Sequence, residues 1–436
     1  MDIKLVNLKG TKDYLPEEQY LRNKIRFTLE EVFKSYGFRP LETPILCFMD
    51  VLSSKYAGGA EILKEIYHLS DQGQRELALR YDLTVPFARV IGMNPHLRFP
   101  FKRYEIGKVF RDGPVKTGRM REFMQCDVDI AGVSSMMAEA EFILMVLDIF
   151  DKFGLDVYVS YNNRKLLSGI LQGLQIPDSK INNVILSLDK LEKIGPQGVR
   201  QEIETLQLQG DTIERIFDLY DNKQSDFDYF SDNFPNSLAE EGISELKELS
   251  ECLLEVDVLD KTRFNPFLAR GLDIYTGTVF EVFLADGSIS SSIAGGGRYD
   301  KIIGGFLDDG KEYPAVGISF GLDVIYNALS MKKEFKNNRS EIDFYIIPLG
   351  TGKESLRLAG LLRLSGWSVD IDMTGRRLKK SLDYANKEKI PYVIIYGEDE
   401  LKSGIIKFKD MEKGEEKTLS MQDIPQELKR ILRDGS

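Results

Sequence analysis

Residues 99–132, FPFKRYEIGKVFRDGPVKTGRMREFMQCDVDIAG, predict a hairpin of two strands joined by a basic loop from Asp112 to Gly118. Period-two alternation gives each strand one polar and one apolar face. The polar faces carry Arg103, Glu105, Gly107, Val109 and Arg111 on the first strand, and Phe123, Gln125, Asp127 and Asp129 on the second. The apolar faces carry Tyr104, Ile106, Phe110, Met124, Cys126, Val128 and Ile130. A solvated strand face is the simpler interpretation, but arginines beside an amide and carboxylates suit a small zwitterionic ligand.

The hairpin is also a basic island on an acidic chain. The 436 residues carry a formal net charge of −11. Residues 102–121 hold seven Lys or Arg against two carboxylates, a local balance of seven minus two, or +5. The seven cations are Lys102, Arg103, Lys108, Arg111, Lys116, Arg119 and Arg121. Such an island predicts a polyanion at this place, either the phosphates of a nucleotide or an RNA backbone.

The hairpin resembles motif 2 of the class II aminoacyl-tRNA synthetases, in the form found in histidyl-tRNA synthetases. The runs VFRDG, GRMREF and QCDVD carry the resemblance. It implies that Arg111 and Arg119 flank ATP, and that Gln125 and Asp129 bind histidine. Arg111 is assigned to both substrates, and so is Gln125. The implied fold is a class II antiparallel-sheet catalytic domain within an α/β and α+β multidomain chain.

Composition describes an ordinary globular protein, with 42% hydrophobic and 29% charged residues, and the length predicts two or three domains. The chain has no apolar run of 18 residues, and its first residues lack a hydrophobic signal region. Cys47, Cys126 and Cys252 form no CxxC pair, which indicates reduced thiols and a cytoplasmic location without a membrane partner. With His68 and His96 alone, a His-based metal centre or triad is not favoured.

The first 46 residues predict a helix followed by an extended segment. Apolar spacing over 17–36 indicates the helix, and Gly37 stops it. Pro40 and Pro44 keep FRPLETPIL extended. A plain helix-to-strand connection explains this pattern. The resemblance instead implies motif 1 and a homodimer interface.

Residues 76–91, ELALRYDLTVPFARVI, predict a strand, a turn and a helix. Asp82 or Thr84 could cap the helix, and Pro86 suits its first turn. Alternatively, a carboxylate and a hydroxyl at the end of a strand meet a ligand ammonium. The run RYDLT resembles the family segment that holds the α-amino group of histidine. The implied histidine-binding residues are Asp82, Leu83 and Thr84.

A second informative stretch is ARGLDIYTGTVFEVF, residues 269–283, which ends in an alternating strand. It resembles the RGLDYYT signature of histidyl-tRNA synthetases. The resemblance places Arg270 beside the α-phosphate and the histidine carboxylate, and Tyr275 beside the imidazole. Ile274 stands where the family usually has a tyrosine, so the pocket wall loses one hydroxyl but keeps the principal imidazole partner, Tyr275.

The glycine run AGGGRYD, residues 294–300, precedes PAVGISFGLDVI, which resembles motif 3. A glycine run alone indicates a tight turn as readily as a phosphate cradle. The resemblance assigns Gly296 and Arg298 to ATP. The arginine that motif 3 usually supplies over ATP is replaced by Val324, so Arg298 or Arg119 would have to supply its charge, or ATP use would be impaired.

The remaining sequence predicts an insertion and a second domain. Residues from about 170 to 260 are rich in helix formers and predict a helical insertion in a catalytic domain spanning 1–330. Residues 331–341 form a charged linker. Residues 342–436 alternate strand and helix, which predicts a mostly parallel sheet. GRRLKKSLDYA and IPYVIIYGEDE resemble the anticodon-binding domain of these synthetases, although the basic patch from Gly375 to Lys380 also suits a solvated surface.

Together these resemblances imply a histidine–tRNA ligase that forms histidyl-adenylate from histidine and ATP with Mg²⁺, and then charges tRNA(His). Arg111 and Arg270 are the implied catalytic pair. Val324 and Ile274 weakly favour a different interpretation, a silent paralogue that regulates ATP phosphoribosyltransferase. The C-terminal domain and the complete histidine pocket oppose it. An enzyme that activates histidine for a non-tRNA acceptor is the third alternative, which the two basic patches disfavour.

Overall fold

A computed structural model describes residues 5–53, 63–115, 119–222, 226–271, 274–307, 311–332 and 340–433. The chain divides into two compact units, Met1–Met331 and Lys332–Ser436. Most of the predicted linker lies outside the described residues. Within the described ranges, no helix is long and apolar enough to cross a membrane.

The strands of the first unit form two sheets. In chain order they are β1 Arg39–Pro40, β2 Leu46–Phe48, β3 His68–Ser70, β4 Glu76–Leu79, β5 Phe101–Phe110, β6 Glu122–Ala131, β7 Val157–Asn163, β8 Thr262–Phe264, β9 Thr278–Leu284, β10 Ala294–Arg298 and β11 Ala315–Gly321. The larger sheet has the order β1–β5–β6–β11–β10–β9–β7–β8, and the smaller one β2–β4–β3. Only the outermost pairs of the larger sheet, β1–β5 and β7–β8, are parallel. The predicted antiparallel catalytic sheet is confirmed.

The central hairpin is the one expected from the sequence. Arg103 lies opposite Asp129 and Glu105 lies opposite Asp127 in the β5–β6 register. The apolar face is buried, with Cys126 and Val128 fully inaccessible. The polar face is also buried, since Arg103 is 0% exposed, so the solvated interpretation does not hold. These charged groups must therefore be paired or serve a ligand.

Helices of the first unit pack on both sides of the large sheet and continue through the insertion. In chain order they are α1 Pro16–Ser35, α2 Met49–Ser53, α3 Thr84–Met93, α4 Met137–Lys152, α5 Arg164–Gly173, α6 Asp178–Leu188, α7 Leu191–Glu204, α8 Gly210–Asp221, α9 Phe227–Asn233, α10 Ser237–Glu255, α11 Lys301–Leu307 and α12 Leu322–Met331. The stripe of α1 that includes Ile25, Leu29 and Phe33 is buried, as its spacing predicts. Phe33 packs against Tyr104 of β5 and Phe320 of β11.

The predicted helical insertion corresponds to α5–α10. These helices follow one another from Arg164 to Glu255, with no strand among the described residues of that range. A single turn of 3₁₀ helix, Leu259–Lys261, returns the chain to β8 at the edge of the large sheet.

The second unit is a five-stranded sheet with helices. Its elements are β12 Phe344–Leu349, α13 Gly352–Leu364, β13 Val369–Ile371, α14 Leu378–Lys387, β14 Tyr392–Gly397, α15 Glu398–Ser403, β15 Ile405–Asp410, β16 Glu416–Ser420 and α16 Ile424–Arg433. The strand order is β13–β12–β14–β15–β16. The pairs of β12 are parallel, but β14–β15 and β15–β16 are antiparallel, so the expectation of a mostly parallel sheet was wrong for half of the pairings. The short connection through α15 leaves too little chain for a parallel crossover.

Candidate active site

An open cleft with an empty volume of about 560 Å³ lies over the polar face of the large sheet. Its walls come from β6, β10 and β11, the turn before α3, the end of β5 and the segment before β9. Nine of the residues predicted to bind substrates line it: Asp82, Thr84, Arg111, Gln125, Asp129, Arg270, Ile274, Tyr275 and Gly296. The other three, Leu83, Arg119 and Arg298, are not among its lining residues.

Asp129 is held in place from two sides. Arg103 Nη2 lies 2.6 Å from its Oδ2, and the Tyr299 hydroxyl donates to its Oδ1. Burial raises the pKa of Asp129, and the charge of Arg103 and the Tyr299 hydrogen bond offset only part of that rise. A carboxylate fixed in this way can accept a hydrogen bond from an imidazole N–H in a defined direction.

The strand beside Asp129 leaves it no spare room. Gly317 of β11 lies opposite Asp129, and a Cβ at Gly317 would stand 2.0 Å from Asp129 Oδ1. Gly295 of β10 makes room for Arg270 in the same way, since a Cβ added at Gly295 would stand 2.8 Å from Arg270 Nη1. Glycine at both positions allows the functional side chains to lie against the sheet.

A buried ion pair supports the floor behind Asp129. Arg80 Nη1 donates to Glu105 Oε1 at 2.8 Å, and the backbone N–H of Thr43 donates to the same oxygen at 2.9 Å. Arg80 also donates to the Thr43 carbonyl at 2.7 Å. These contacts join the extended segment after β1 to β4 and β5, and they satisfy charges that would be costly to bury alone.

Arg111, at the end of β5, presents a guanidinium to the cleft between two rings. Its Cζ lies 4.3 Å from the Tyr81 ring centroid and 4.9 Å from that of Phe123. Its Nε donates to the Tyr81 carbonyl at 3.4 Å. No carboxylate in the described part of the chain forms an ion pair with Arg111. Its charge is therefore available for an anionic ligand.

Arg270 lies on the opposite side and is oriented by Glu281 of β9. The two side chains form an ion pair, and Ser292 Oγ donates to the same Glu281 oxygen at 3.2 Å. Tyr275 lies close by, with its ring centroid 6.0 Å from Arg270 Cζ. Burial raises the pKa of the Tyr275 hydroxyl, and Arg270 lowers it only in part, so the phenol stays neutral at physiological pH. Ile274 packs against the apolar cluster that includes Phe87 and Tyr299.

Asp82 has the capping role that the sequence allowed, and it also lies where a ligand could reach it. Its Oδ1 accepts a hydrogen bond from the backbone N–H of Val85 at 3.1 Å, which caps the first turn of α3. Asp82 and Thr84 also line the cleft. Leu83, between them, points into the core and is fully buried.

Gln125, Asp127 and Ser319 form the remaining polar edge. Gln125 Nε2 donates to Ser319 Oγ at 2.9 Å, while its buried Oε1 has no hydrogen-bond partner in the described structure. Burial raises the pKa of Asp127 to about 7, with Arg103 lowering it and Asp129 raising it. The unsatisfied amide oxygen is suited to a ligand that donates hydrogen bonds, and so is Asp127 in its ionised form.

The two arginines proposed to replace the motif 3 arginine lie elsewhere. Arg298 donates from Nε and Nη2 to Glu139 of α4, both at 2.7 Å, and is almost fully buried. Arg119 pairs with Glu65 at the surface. Val324 is half-buried in the first turn of α12 and does not line the cleft. Within the described residues, Arg111 and Arg270 are the cationic side chains that line it.

The structure adds residues that the sequence did not individually assign to histidine or ATP. They are Arg103, Tyr299, Asp127, Ser319 and Tyr81. Alternation along β5 and β6 placed Arg103 and Asp127 on the correct face, so a signal for them existed. Tyr299 and Ser319 reach the cleft only through the pairing of β10 with β11 and of β11 with β6, which local patterns do not reveal.

Comparisons with known proteins agree with this site. The family model described as histidyl-tRNA synthetase matches residues 10–325, and the one described as anticodon binding domain matches residues 343–431. Histidine--tRNA ligase 1 of a Bacillus cereus strain is 54% identical over 95% of this chain and 97% of its own length. The crystal structure of histidyl-tRNA synthetase from Nostoc sp. PCC 7120 matches with a TM-score of 0.83 at 30% identity, covering 98% of this chain and 100% of that one.

An antiparallel sheet that carries a cleft with two arginines, together with an anticodon-binding domain, defines a class II aminoacyl-tRNA synthetase. Within that class, the chain belongs to the histidyl-tRNA synthetase family. A solved protein from Bacillus halodurans C, described as an ATP phosphoribosyltransferase regulatory subunit/histidyl-tRNA synthetase, matches with a TM-score of 0.76 at 21% identity, which shows a shared fold alone. The regulatory interpretation is not favoured, because the curated relatives at 52–54% identity are named histidine--tRNA ligases.

Proposed function

We propose that this chain joins L-histidine to tRNA(His) in two steps, with histidyl-adenylate as the intermediate and ATP as the energy source. The observation that carries the proposal is the meeting of Arg111 and Arg270 in one cleft with the predicted histidine-binding residues, Leu83 alone excepted. Asp82, Thr84 and Gln125 would hold the α-amino end of histidine. Asp129 and Tyr275 would contact the two imidazole nitrogens, one as acceptor and the other as donor.

The first step requires positioning more than proton transfer. The histidine carboxylate is already ionised at neutral pH, so its attack on the α-phosphate needs no strong base. Negative charge builds on the phosphate oxygens during that attack. Arg270, oriented by Glu281, would bridge the carboxylate and the α-phosphate, and Arg111 would neutralise phosphate charge from the other side. Arg119, Arg298, Leu83 and Gly296 were assigned by resemblance, and among them only Gly296 borders the cleft.

Magnesium is proposed as a companion of ATP. Among the described residues, no group of three or more His, Cys, Asp or Glu side chains could hold a metal ion. A resident protein site for Mg²⁺ does not fit these residues, and the ion would arrive on the phosphates of the nucleotide. The work of the protein's own residues is therefore to orient the two substrates and to neutralise charge.

The partners follow from the same proposal. The basic motif 2 loop and the exposed cations Arg376, Arg377, Lys379 and Lys380 would approach the tRNA backbone. A homodimer through the motif 1 segment is also proposed, and sedimentation at micromolar protein would test it. A cytoplasmic location is supported by the three cysteines, all of which are free thiols.

The decisive experiment is exchange of labelled pyrophosphate into ATP, with and without histidine, followed by charging of total tRNA. Exchange that depends on histidine, and charging of tRNA(His), are the expected results. Exchange without charging would indicate a non-tRNA acceptor. Histidine binding without exchange would overturn the ligase proposal. The replacement of the motif 3 arginine by Val324 would then be the first explanation to test.

A further inference from the structure

Asp127 is a buried carboxylate in the cleft that, unlike the neighbouring carboxylates, forms no ion pair with an arginine in the described structure. Asp127 lies on β6 between Gln125 and Asp129, is 3% exposed and borders the cleft. Its neighbours Asp129 and Glu105 pair with arginines at 2.6 Å and 2.8 Å. Among the described residues, no Lys or Arg forms an ion pair with Asp127.

The hydrogen bonds of Asp127 do not compensate for a full negative charge. Gln125 Nε2 reaches its Oδ1 only at 3.5 Å, and the better partner of that amide is Ser319 Oγ at 2.9 Å. The Ser319 hydroxyl also favours ionised Asp127, but it is neutral. A buried carboxylate without a cation is costly, so the arrangement calls for a positive charge from outside the protein.

The titratable groups around Asp127 come from every element packed against it. They are Arg103 and Glu105 on β5, Asp129 on β6, Asp82 before α3, Tyr275 before β9 and Tyr299 after β10. Arg103 is the one cation in that described set, and it is already engaged with Asp129. Carboxylates therefore outnumber guanidinium groups on this side of the cleft.

We propose that Asp127 is a further substrate-binding residue, whose carboxylate receives the α-ammonium group of histidine beside Asp82 and Thr84. The inference rests on histidine being the substrate, as proposed above. The ammonium is the cation of choice, because imidazole has an ordinary pKa of about 6.5 and is mostly neutral at neutral pH. An ammonium also brings three donors, which suit the carboxylate and the unsatisfied Gln125 oxygen together.

Proton release on binding gives a direct test in the intact enzyme. Asp127 is partly protonated at pH 7 before histidine binds, because burial raises its pKa to about 7. A bound ammonium favours the ionised form, so histidine binding at pH 7 should release about half a proton from this carboxyl group. Titration calorimetry with histidine, in buffers of different ionisation enthalpy, measures that release. Asp127→Asn should abolish the proton release that comes from this carboxyl group.

A histidine analogue without the amino group separates the possible contacts. Asp127→Asn should weaken histidine binding about tenfold or more, the loss expected for a charge-assisted hydrogen bond. Imidazole-4-propionate, which keeps the ring and the carboxylate, should bind the variant and the parent enzyme equally. Asp127→Glu, which keeps the charge, should recover part of the histidine affinity. Asp127→Ser replaces the asparagine variant if the latter fails to fold.

Each result has a distinct meaning. Unchanged histidine affinity and proton release in Asp127→Asn would overturn the inference and leave the proposed function standing. An equal loss of histidine and imidazole-4-propionate would also overturn it, because Asp127 would then act on the ring or on the fold. A parent enzyme that does not bind histidine would overturn the proposed function itself.

Discussion

Arg103 and Asp129 lie directly opposite each other in the β5–β6 register and pair at 2.6 Å, yet only Asp129 borders the cleft. The arginine also donates from Nη2 to the Leu83 carbonyl at 3.0 Å, in the segment that carries Asp82 and Thr84. One buried guanidinium therefore ties together the two parts of the chain proposed to hold opposite ends of histidine. It positions binding residues without touching the ligand itself.

The first prediction concerns this pair. Arg103→Met should lower the free energy of unfolding by about 3–5 kcal/mol, because it leaves Asp129 buried without its partner. The double variant Arg103→Met/Asp129→Asn should regain part of that stability while still binding histidine poorly. Chemical denaturation and histidine titration of both variants measure the two effects. Equal stability of the single and double variants would show that the pair is not coupled.

A second prediction tests the close approach of β11 to Asp129. Gly317→Ala should weaken histidine binding, because its methyl group would stand 2.0 Å from the Asp129 carboxylate and force it to move. Gly360→Ala is the matched control, since a Cβ there meets nothing within 4 Å. That change lies inside helix α13 and should stabilise it by about 0.5–1 kcal/mol without altering histidine affinity. The two variants are compared by thermal melting and histidine titration.

A third prediction concerns the catalytic arginines. Arg111→Lys and Arg270→Lys should each slow histidine-dependent pyrophosphate exchange about 10²- to 10³-fold, since lysine keeps the charge but loses the planar fork. Arg200→Lys is the control, because Arg200 pairs with Glu214 between helices of the insertion. Its exchange rate should equal that of the parent enzyme. Near-parental exchange in Arg111→Lys would remove Arg111 from the reaction.

The fourth prediction separates the two possible roles of Arg298. If Arg298 acts through its buried pair with Glu139, Arg298→Met should be strongly destabilising, and Arg298→Met/Glu139→Gln should recover much of the loss. The KM for ATP of the double variant should then match that of the parent enzyme. A KM for ATP that rises many-fold in a stable double variant would restore the ATP contact implied by the resemblance.

A fifth prediction follows from the pH dependence of Asp127. Its pKa of about 7 lies above the ordinary value of about 3.9, so the native protein keeps a proton that the unfolded chain has released. The contribution of Asp127 to the free energy of unfolding therefore falls as pH rises from about 4 to 7. The Tm of Asp127→Asn should exceed that of the parent enzyme by more at pH 8 than at pH 5. Asp129→Asn should lower the Tm at both pH values, because it removes the carboxylate 2.6 Å from Arg103 and leaves only the longer pair with Glu105 at 3.8 Å.

Much of this site was predictable because the information is local. A period of two placed Arg111, Gln125 and Asp129 on one face of a hairpin, and the RYDLT and RGLDIYT runs supplied Asp82, Thr84 and Tyr275. Arg298 was different, because its partner Glu139 lies 159 residues away and nothing in AGGGRYD indicates which way the side chain turns. The last strands of the second unit were also misjudged, since pairing direction depends on how the chain connects them.

The glycines beside the cleft limit how its specificity can change. Gly295 and Gly317 leave bare main chain beneath the functional side chains, and that main chain is held by strand pairing on both sides. A substitution there can only add atoms and make the pocket shallower. There is no side chain at these positions to shorten, so enlarging the pocket at the glycines would require moving whole strands. Redirecting such an enzyme towards larger substrates would have to begin at Ile274 and Tyr275, whose side chains line the cleft and can be shortened.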